Sequence, residues 1–156
     1  MLAVILMGSP SDLSFVQKIT TALDEYGIPW ATRVASAHKT PRYLLDLLAD
    51  YEADDQPKVY VTVAGRSNAL SGMVDAAVKS PVIACPPYSD KFAGADLYSS
   101  LRTPSGVAPA VVLEPKNAAL LAAKILGLLD PNVREVVTTA QAEQRQRLYQ
   151  ADHEIT

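Results

Sequence analysis

Cysteine and histidine are scarce in this sequence, which has one cysteine, Cys85, and two histidines, His38 and His153. A lone cysteine cannot form an internal disulfide and fits a reducing compartment, so we expect a cytoplasmic protein. Metal sites usually need several histidines, cysteines or clustered carboxylates, so we expect no metal ion. The setting Ile83-Ala84-Cys85-Pro86 indicates the buried end of a strand, with a structural role for Cys85.

The sequence also lacks long apolar runs and an excess of basic charge. No run approaches the roughly 18 to 20 apolar residues of a membrane span, and Leu2 to Met7 has neither the basic lead-in nor the cleavage pattern of a signal peptide. A net charge of −3 argues against a nucleic-acid or membrane-surface partner. The hydrophobic fraction of 49% is high for a domain of 156 residues, so we expect one domain that forms a homo-oligomer.

What is present is a regular alternation of strand-like and helix-like segments, without repeats, low-complexity tracts or linkers. Strand and helix alternate five times with short connections, which predicts a three-layer α/β/α domain with a parallel sheet. The predicted strands are Leu2 to Met7, Pro29 to Val34, Val59 to Ala64, Pro81 to Cys85 and Ala110 to Leu113. The predicted helices cover residues 13–26, 42–51, 73–78, 92–101 and 118–129, and a last one starts at Pro131.

The two C-terminal helices differ in character. From Ala118 to Leu129 nearly every residue is apolar, so we expect this helix to be buried on all sides, between subunits. The helix after Pro131 has an apolar stripe from Val133 to Ala140 that fades by residue 144. Residues 1–130 are therefore interpreted as the α/β domain proper, and 131–156 as a helix that packs on the same or a neighbouring subunit.

Three polar junctions follow the first three predicted strands: Gly8 to Asp12, Ser36 to Thr40, and Gly65 to Gly72. The carboxyl ends of parallel strands lie at one edge of the sheet, where α/β proteins bind ligands. We therefore expect the three junctions to form one site. Read singly, each has a simpler alternative: a turn that only caps a helix, a histidine bonded to backbone beside a solvated lysine, and an ordinary loop.

The residues at these junctions suit a phosphorylated ligand and proton transfer. Gly8 to Asp12 leads into a helix N-terminus, where free N–H groups and two hydroxyls suit a phosphate, and Lys39 would add a cation. Asp12 would accept hydrogen bonds from a ribose diol or cap the helix. His38 is the side chain there that exchanges a proton near neutral pH. Glu114 and Asp96 are interpreted as surface or capping carboxylates.

These junctions resemble the purine-biosynthesis family that comprises phosphoribosylaminoimidazole carboxylases and N5-carboxyaminoimidazole ribonucleotide mutases. The mutase branch carries a second histidine in the third loop and usually arginine after the first histidine. This sequence has Asn68 and Lys39 there, as in the branch that uses CO2 directly. The matching motifs are Met7 to Asp12, Ser36 to Pro41, Ala64 to Gly72, Cys85 to Pro87, Phe92 to Leu101, Pro104 to Gly106 and Asn117 to Ala123.

The resemblance implies a flavodoxin-like domain, a homo-oligomer that is typically an octamer, and a site at a subunit junction. It also implies no cofactor: no metal, biotin or ATP. The implied reaction is carboxylation of 5-aminoimidazole ribonucleotide at carbon 4. Carried over by position, His38 is the general acid and base, Ser9 and Asp12 hold the ribose, Ser11, Ser36 and Lys39 hold the phosphate, and Ser67, Asn68 and Ala69 contact the ring and CO2.

Three alternatives remain at this point. The first is the mutase reaction of the other branch. The second is a flavodoxin-like module without catalysis that binds a phosphorylated ligand and regulates a partner. The third concerns partners, since some relatives work beside the next enzyme of the pathway, and here such an association would be between separate proteins.

Overall fold

The computed structural model describes residues 1–87 and 92–155 and contains a parallel sheet. The strands lie in the order β2-β1-β3-β4-β5, and each neighbouring pair is parallel. This order is that of flavodoxin-like domains, so the predicted fold class is confirmed. The strands are β1 (Leu2–Met7), β2 (Trp30–Val34), β3 (Lys58–Val63), β4 (Val82–Ala84) and β5 (Ala110–Val111).

Helices cover both faces of the sheet and give the three layers. On one face, α1, α5 and the start of α6 pack in one apolar cluster, and on the other face α2 and α3 pack in a second. The helices are α1 (Leu13–Glu25), α2 (Pro41–Glu52), α3 (Ala69–Ala77), α4 (Tyr98–Leu101), α5 (Pro115–Leu126) and α6 (Pro131–Ile155), with short 3-10 turns at Pro10–Asp12 and Ala95–Leu97.

The central strand β1 shows why the sequence folds this way. Successive side chains of a strand point to opposite faces, so a strand covered on both faces must be apolar throughout. Ala3, Ile5 and Met7 join the cluster with α1 and α5, whereas Val4 and Leu6 join the cluster with α2 and α3. Residues Ala3 to Leu6 have no exposed surface.

The prediction for α5 is wrong at its C-terminal end, whereas its burial between subunits stays a prediction. The helix ends at Leu126, and Leu128 and Leu129 lie beyond it with 73% and 69% of their surface exposed. Just past this end, the Arg134 guanidinium donates to the carbonyls of Gly127 and Leu128 at 2.9 and 3.1 Å. One face of α5, rich in small alanines, is buried against α1 and the sheet.

The first turns of α6 pack on this layer through Val133 and Val137, which are buried. Val136, included in the predicted stripe, is 38% exposed, and residues 142–155 are all exposed. Within residues 1–87 and 92–155, no helix combines the length and hydropathy that crossing a membrane requires.

The prediction for α3 is also wrong in its start, which lies at Ala69, four residues before Met73. The helix begins early because the Asn68 side chain caps it, with Oδ1 accepting from the Ser71 N–H at 3.2 Å. The end of the predicted loop, Ala69 to Gly72, therefore belongs to the helix. This shortens the third loop at the sheet edge to the residues before Ala69.

Candidate functional site

The three predicted junctions meet at the carboxyl ends of β1, β2 and β3 and line one open cleft. Its volume is about 640 Å³, which lies within the range of small-molecule sites. Of the predicted site residues, the cleft brings together Ser9, Ser11, Asp12, Ser36, His38, Lys39 and Ser67. Asn68 and Ala69 are not among the residues that line it.

The first loop is fixed by its own serines. The Gly8 N–H donates to the Val63 carbonyl at 2.9 Å and extends the β1–β3 ladder. Ser9 Oγ then accepts from the N–H and the hydroxyl of Ser11, at 3.3 and 2.8 Å. A Cβ at Gly8 would lie 3.4 Å from the Ala64 Cβ, so the first and third loops are in close approach here. The loop therefore presents its hydroxyls beside the third loop.

Asp12 lies at the start of α1 but makes no side-chain hydrogen bond that caps the helix. Burial raises the pKa of its carboxyl above the ordinary value, and hydrogen bonds from the Ser9 backbone and the Ser11 side chain partly offset this rise. Asp12 therefore does not cap α1, although its carboxyl is bonded by the backbone of Ser9 at the start of the preceding 3-10 turn, and the residue lines the cleft.

The second loop is a closed turn around His38. Ser36 Oγ accepts from the Lys39 N–H at 3.2 Å, and the Ser36 carbonyl accepts from the Thr40 N–H at 2.9 Å. Pro41 then opens α2, as the sequence predicts. His38 is exposed, and within residues 1–87 and 92–155 its ring nitrogens have no hydrogen-bond partner. The imidazole is therefore available to a ligand rather than bonded to the backbone.

The third loop has an unusual backbone. Arg66 has a φ of +58°, in the left-handed region that residues other than glycine rarely adopt. Ser67 lines the cleft, whereas Asn68 is only 6% exposed and turns its side chain away from the cleft. Besides its bond to Ser71, Asn68 donates from Nδ2 to Ser100 Oγ at 2.9 Å. Ala69 is the first residue of α3.

Two charged residues of the cleft were given no role in the sequence analysis, although Arg66 lies in the predicted third junction. Arg66 and Asp96 both line it, and the Arg66 N–H donates to the Asp96 carboxylate at 3.3 Å. The interpretation of Asp96 as a surface or capping group is wrong. The two residues are 30 positions apart in the sequence, and no local pattern marks a contact at that separation. With Lys39 and Asp12, the wall thus carries two cations and two carboxylates.

Cys85 does not belong to the reactive groups of the cleft. It is fully buried, and burial together with the nearby Glu114 carboxylate raises the pKa of its thiol to about 12. A thiol protonated at neutral pH is a poor nucleophile. Among the described residues, no group of three or more histidines, cysteines and carboxylates is placed to hold a metal ion.

An open parallel sheet with a polar cleft at the carboxyl ends of its strands is the arrangement of α/β enzymes. Comparison with known proteins shows to which family of α/β enzymes the chain belongs. The model of the AIR carboxylase family matches residues 2–147. The chain belongs to this family, so the resemblance read from the motifs is confirmed, and it is an enzyme.

The similarity to individual relatives extends over almost the whole of this chain. The chain is 53% identical to the phosphoribosylaminoimidazole carboxylase of Treponema denticola over 99% of this chain and 97% of that protein. It is 57% identical to the phosphoribosylaminoimidazole carboxylase of Archaeoglobus fulgidus over 99% of this chain and 85% of that protein. The crystal structure of Treponema denticola PurE superposes with a TM-score of 0.98 at 53% identity, covering 99% of this chain and 98% of that one.

Proposed function

We propose that this enzyme carboxylates 5-aminoimidazole ribonucleotide with CO2 to give 4-carboxy-5-aminoimidazole ribonucleotide in purine biosynthesis. The observation that supports this most is the position of His38. Its imidazole has no hydrogen-bond partner among the described residues and lines the same cleft as the serines and cations of the neighbouring loops. Two relatives above 50% identity carry the name phosphoribosylaminoimidazole carboxylase.

The chemistry needs one proton carrier and no activated donor. The 5-amino group feeds electron density into the imidazole ring of the substrate, so carbon 4 attacks CO2 as an enamine carbon would. The new carbon–carbon bond leaves carbon 4 tetrahedral and still bearing its proton. His38 takes that proton and returns the electron pair to the ring, which restores aromaticity, and in the reverse direction it supplies the proton. A positioned acid–base group of this kind contributes about 10²- to 10⁴-fold in rate.

Substrate binding divides among the three loops. In the proposal, Ser9 and Asp12 hold the ribose, and Ser11, Ser36 and Lys39 hold the phosphate. Ser67 is placed at the ring and CO2 end. The Asn68 side chain is occupied by Ser71 and Ser100, so a contact from Asn68 or Ala69 to the substrate would come from the backbone. CO2 is uncharged, and a small dry pocket suits it better than a cationic one.

The mutase reaction is the second candidate, and the residue at position 68 argues against it. A mutase of this family carries histidine in the third loop, whereas Asn68 here is a buried helix cap. The purified enzyme is incubated with aminoimidazole ribonucleotide plus bicarbonate and, separately, with the N5-carboxy nucleotide. We expect turnover of the first substrate. Turnover of the N5-carboxy form alone would show that the chain is a mutase.

The role of His38 is tested by His38→Asn, which keeps a polar side chain but cannot carry a proton near neutral pH. We expect kcat to fall by about 10²-fold or more while nucleotide binding, measured by calorimetry, stays within about threefold. A variant that keeps more than about a tenth of the wild-type rate would exclude His38 as the proton carrier. A binding module without catalysis would instead show no turnover in the wild type or the variant and unchanged nucleotide binding in both, because it needs the phosphate groups but no particular residue at position 38.

We further propose that the enzyme is a cytoplasmic homo-oligomer, of octameric size as the resemblance implies. Large apolar side chains support association, because Leu128 and Leu129 are 73% and 69% exposed and Tyr98 is 65% exposed. Light scattering after size-exclusion chromatography checks this against the chain mass of 16.7 kDa. A monomeric mass at micromolar concentration would contradict it.

A further inference from the structure

The third loop of the cleft is held differently from the other two. The first loop is fastened by Ser11 bonds to Ser9, and the second by the Lys39 bond to Ser36, all within one loop. The third loop is instead fastened by a residue from a distant part of the chain. That residue is Ser99, at the start of α4, which is 33 positions from Arg66 and 31 from Asn68.

The Ser99 hydroxyl binds both peptide groups that flank Ser67. It accepts from the Asn68 N–H at 2.9 Å and lies 3.0 Å from the Arg66 carbonyl, to which it donates. A hydroxyl has one proton, and the Asp96 carbonyl at 2.7 Å shares it. One side chain thus fixes the peptide before Ser67 and the peptide after it. Through them it sets what Ser67 presents to the cleft.

The loop needs such a support because its backbone conformation is unfavourable for the residues that adopt it. Arg66 is left-handed, and the chain turns sharply at Asn68, where the Ala69 N–H donates to the Ser67 carbonyl at 3.0 Å. Backbone of this kind persists when surrounding contacts enforce it. The Asp96 carboxylate supplies a second contact by accepting from the Arg66 N–H at 3.3 Å.

We propose that Ser99 is a positioning residue, which acts through Ser67 by holding the third loop in its productive shape. The inference that Ser67 serves the ring and CO2 end rests on the proposed function. Since the phosphate-end groups lie on the other two loops, the loss of Ser99 should affect kcat more than the KM of the nucleotide. A misplacement of about 1 Å can cost about 10²-fold in rate.

The test compares Ser99→Ala, Ser99→Thr and the control Ser80→Ala. Ser80→Ala also removes a hydroxyl hydrogen bond, to Glu52 at 3.3 Å, but this contact joins α2 to the segment two residues before β4, outside the cleft. Carboxylase kinetics are measured together with hydrogen–deuterium exchange of a peptide spanning residues 64–70. Circular dichroism checks that each variant is folded.

For Ser99→Ala we expect kcat to fall at least ~10-fold, with KM within about twofold and faster exchange in residues 64–70. Ser99→Thr keeps the hydroxyl and should recover most of the rate, and Ser80→Ala should match the wild type in kcat and in exchange of this peptide. A Ser99→Ala enzyme with kcat within about twofold of wild type, or with unchanged exchange, overturns the proposal.

The proposal can still be tested if the Ser99→Ala variant does not fold or if the wild type has no carboxylase activity. If Ser99→Ala does not fold, Ser99→Cys takes its place, since a thiol has similar volume but is a weak hydrogen-bond partner. If the wild type itself shows no carboxylase turnover, the proposed function fails and the exchange measurement alone decides whether Ser99 holds the loop. Faster exchange in the variant then supports the role, and unchanged exchange refutes it.

Discussion

Gly127 lies at the C-terminal end of α5, where an added methyl group has no room. A Cβ at this position would lie 2.9 Å from the Ala123 carbonyl oxygen and 3.3 Å from the Arg134 N atom. Both neighbours are backbone atoms, so relief requires the α5–α6 connection to shift rather than one side chain to rotate. Gly127 has a φ of −65°, so the obstacle is the contact and not the backbone conformation.

Two effects of opposite sign compete in Gly127→Ala. A glycine-to-alanine change at an unstrained position stabilises by about 0.4–1 kcal/mol through the unfolded chain. Overpacking in a close-packed region costs about 1–3 kcal/mol. Since the contact is with backbone, we expect the clash to win, with a net loss of roughly 0.5–2 kcal/mol. For a chain of this size, that corresponds to a fall in Tm of roughly 1–8 °C.

Gly72 offers a matched control in which the clash is missing. It lies inside α3, and the nearest described atom to a methyl group added at Gly72 is Val107 Cγ1 at 3.8 Å, an ordinary contact. Gly72→Ala should therefore raise the free energy of unfolding by about 0.4–1 kcal/mol. Urea denaturation and calorimetry measure both variants. A Gly127→Ala protein as stable as Gly72→Ala would refute the packing argument.

Two other predictions concern titratable groups. Burial raises the pKa of the Glu52 carboxyl, but hydrogen bonds from the Lys79 N–H and the Tyr60 hydroxyl outweigh this and hold the pKa below its ordinary value. A lowered folded-state pKa gives stability that is present above the unfolded pKa and is lost as pH falls through the folded one. Glu52→Gln should thus lower the urea midpoint more at pH 7 than at pH 3, and an equal loss at both would contradict this. The Cys85 pKa, raised from 9.0 to about 12, predicts alkylation at pH 8 about 10³-fold slower in the native than in the unfolded protein. Equal rates in an iodoacetamide time course would show that the thiol is exposed and ionised.

The sheet and its edges were predictable because they follow from local patterns. The apolar run of β1 marks a strand covered on both faces, and the helical spacing of Leu44, Leu47 and Leu48 marks the buried face of α2, as found. The alternation predicts a parallel sheet, whereas the strand order was expected only from the family resemblance, because more than one order satisfies the handedness of parallel crossovers. The three polar junctions meet because parallel strands all end at the same edge.

The errors in the predicted helix bounds arose at helix ends, where individual capping contacts matter more than the pattern of neighbouring residues. The apolar run through Leu129 predicts a continuing helix, but α5 ends at Leu126, and Arg134 from the start of α6 binds the Gly127 carbonyl that follows. The third loop reads as a long glycine-bounded loop, but Asn68 caps α3 at once. In both cases the boundary coincides with a side-chain hydrogen bond to backbone at the helix end.

The sequence by itself determined the parallel α/β architecture, the edge where the site lies and most of the residues that line it, including His38. Each of these depends on apolar period and on residues close along the chain. Tertiary structure alone decided that Asp96 lines the cleft and that the Asn68 side chain turns away from it. It also decided that the Ser99 hydroxyl binds the backbone of the third loop. These contacts join residues about thirty positions apart, and only the folded path of the chain brings them within hydrogen-bond distance.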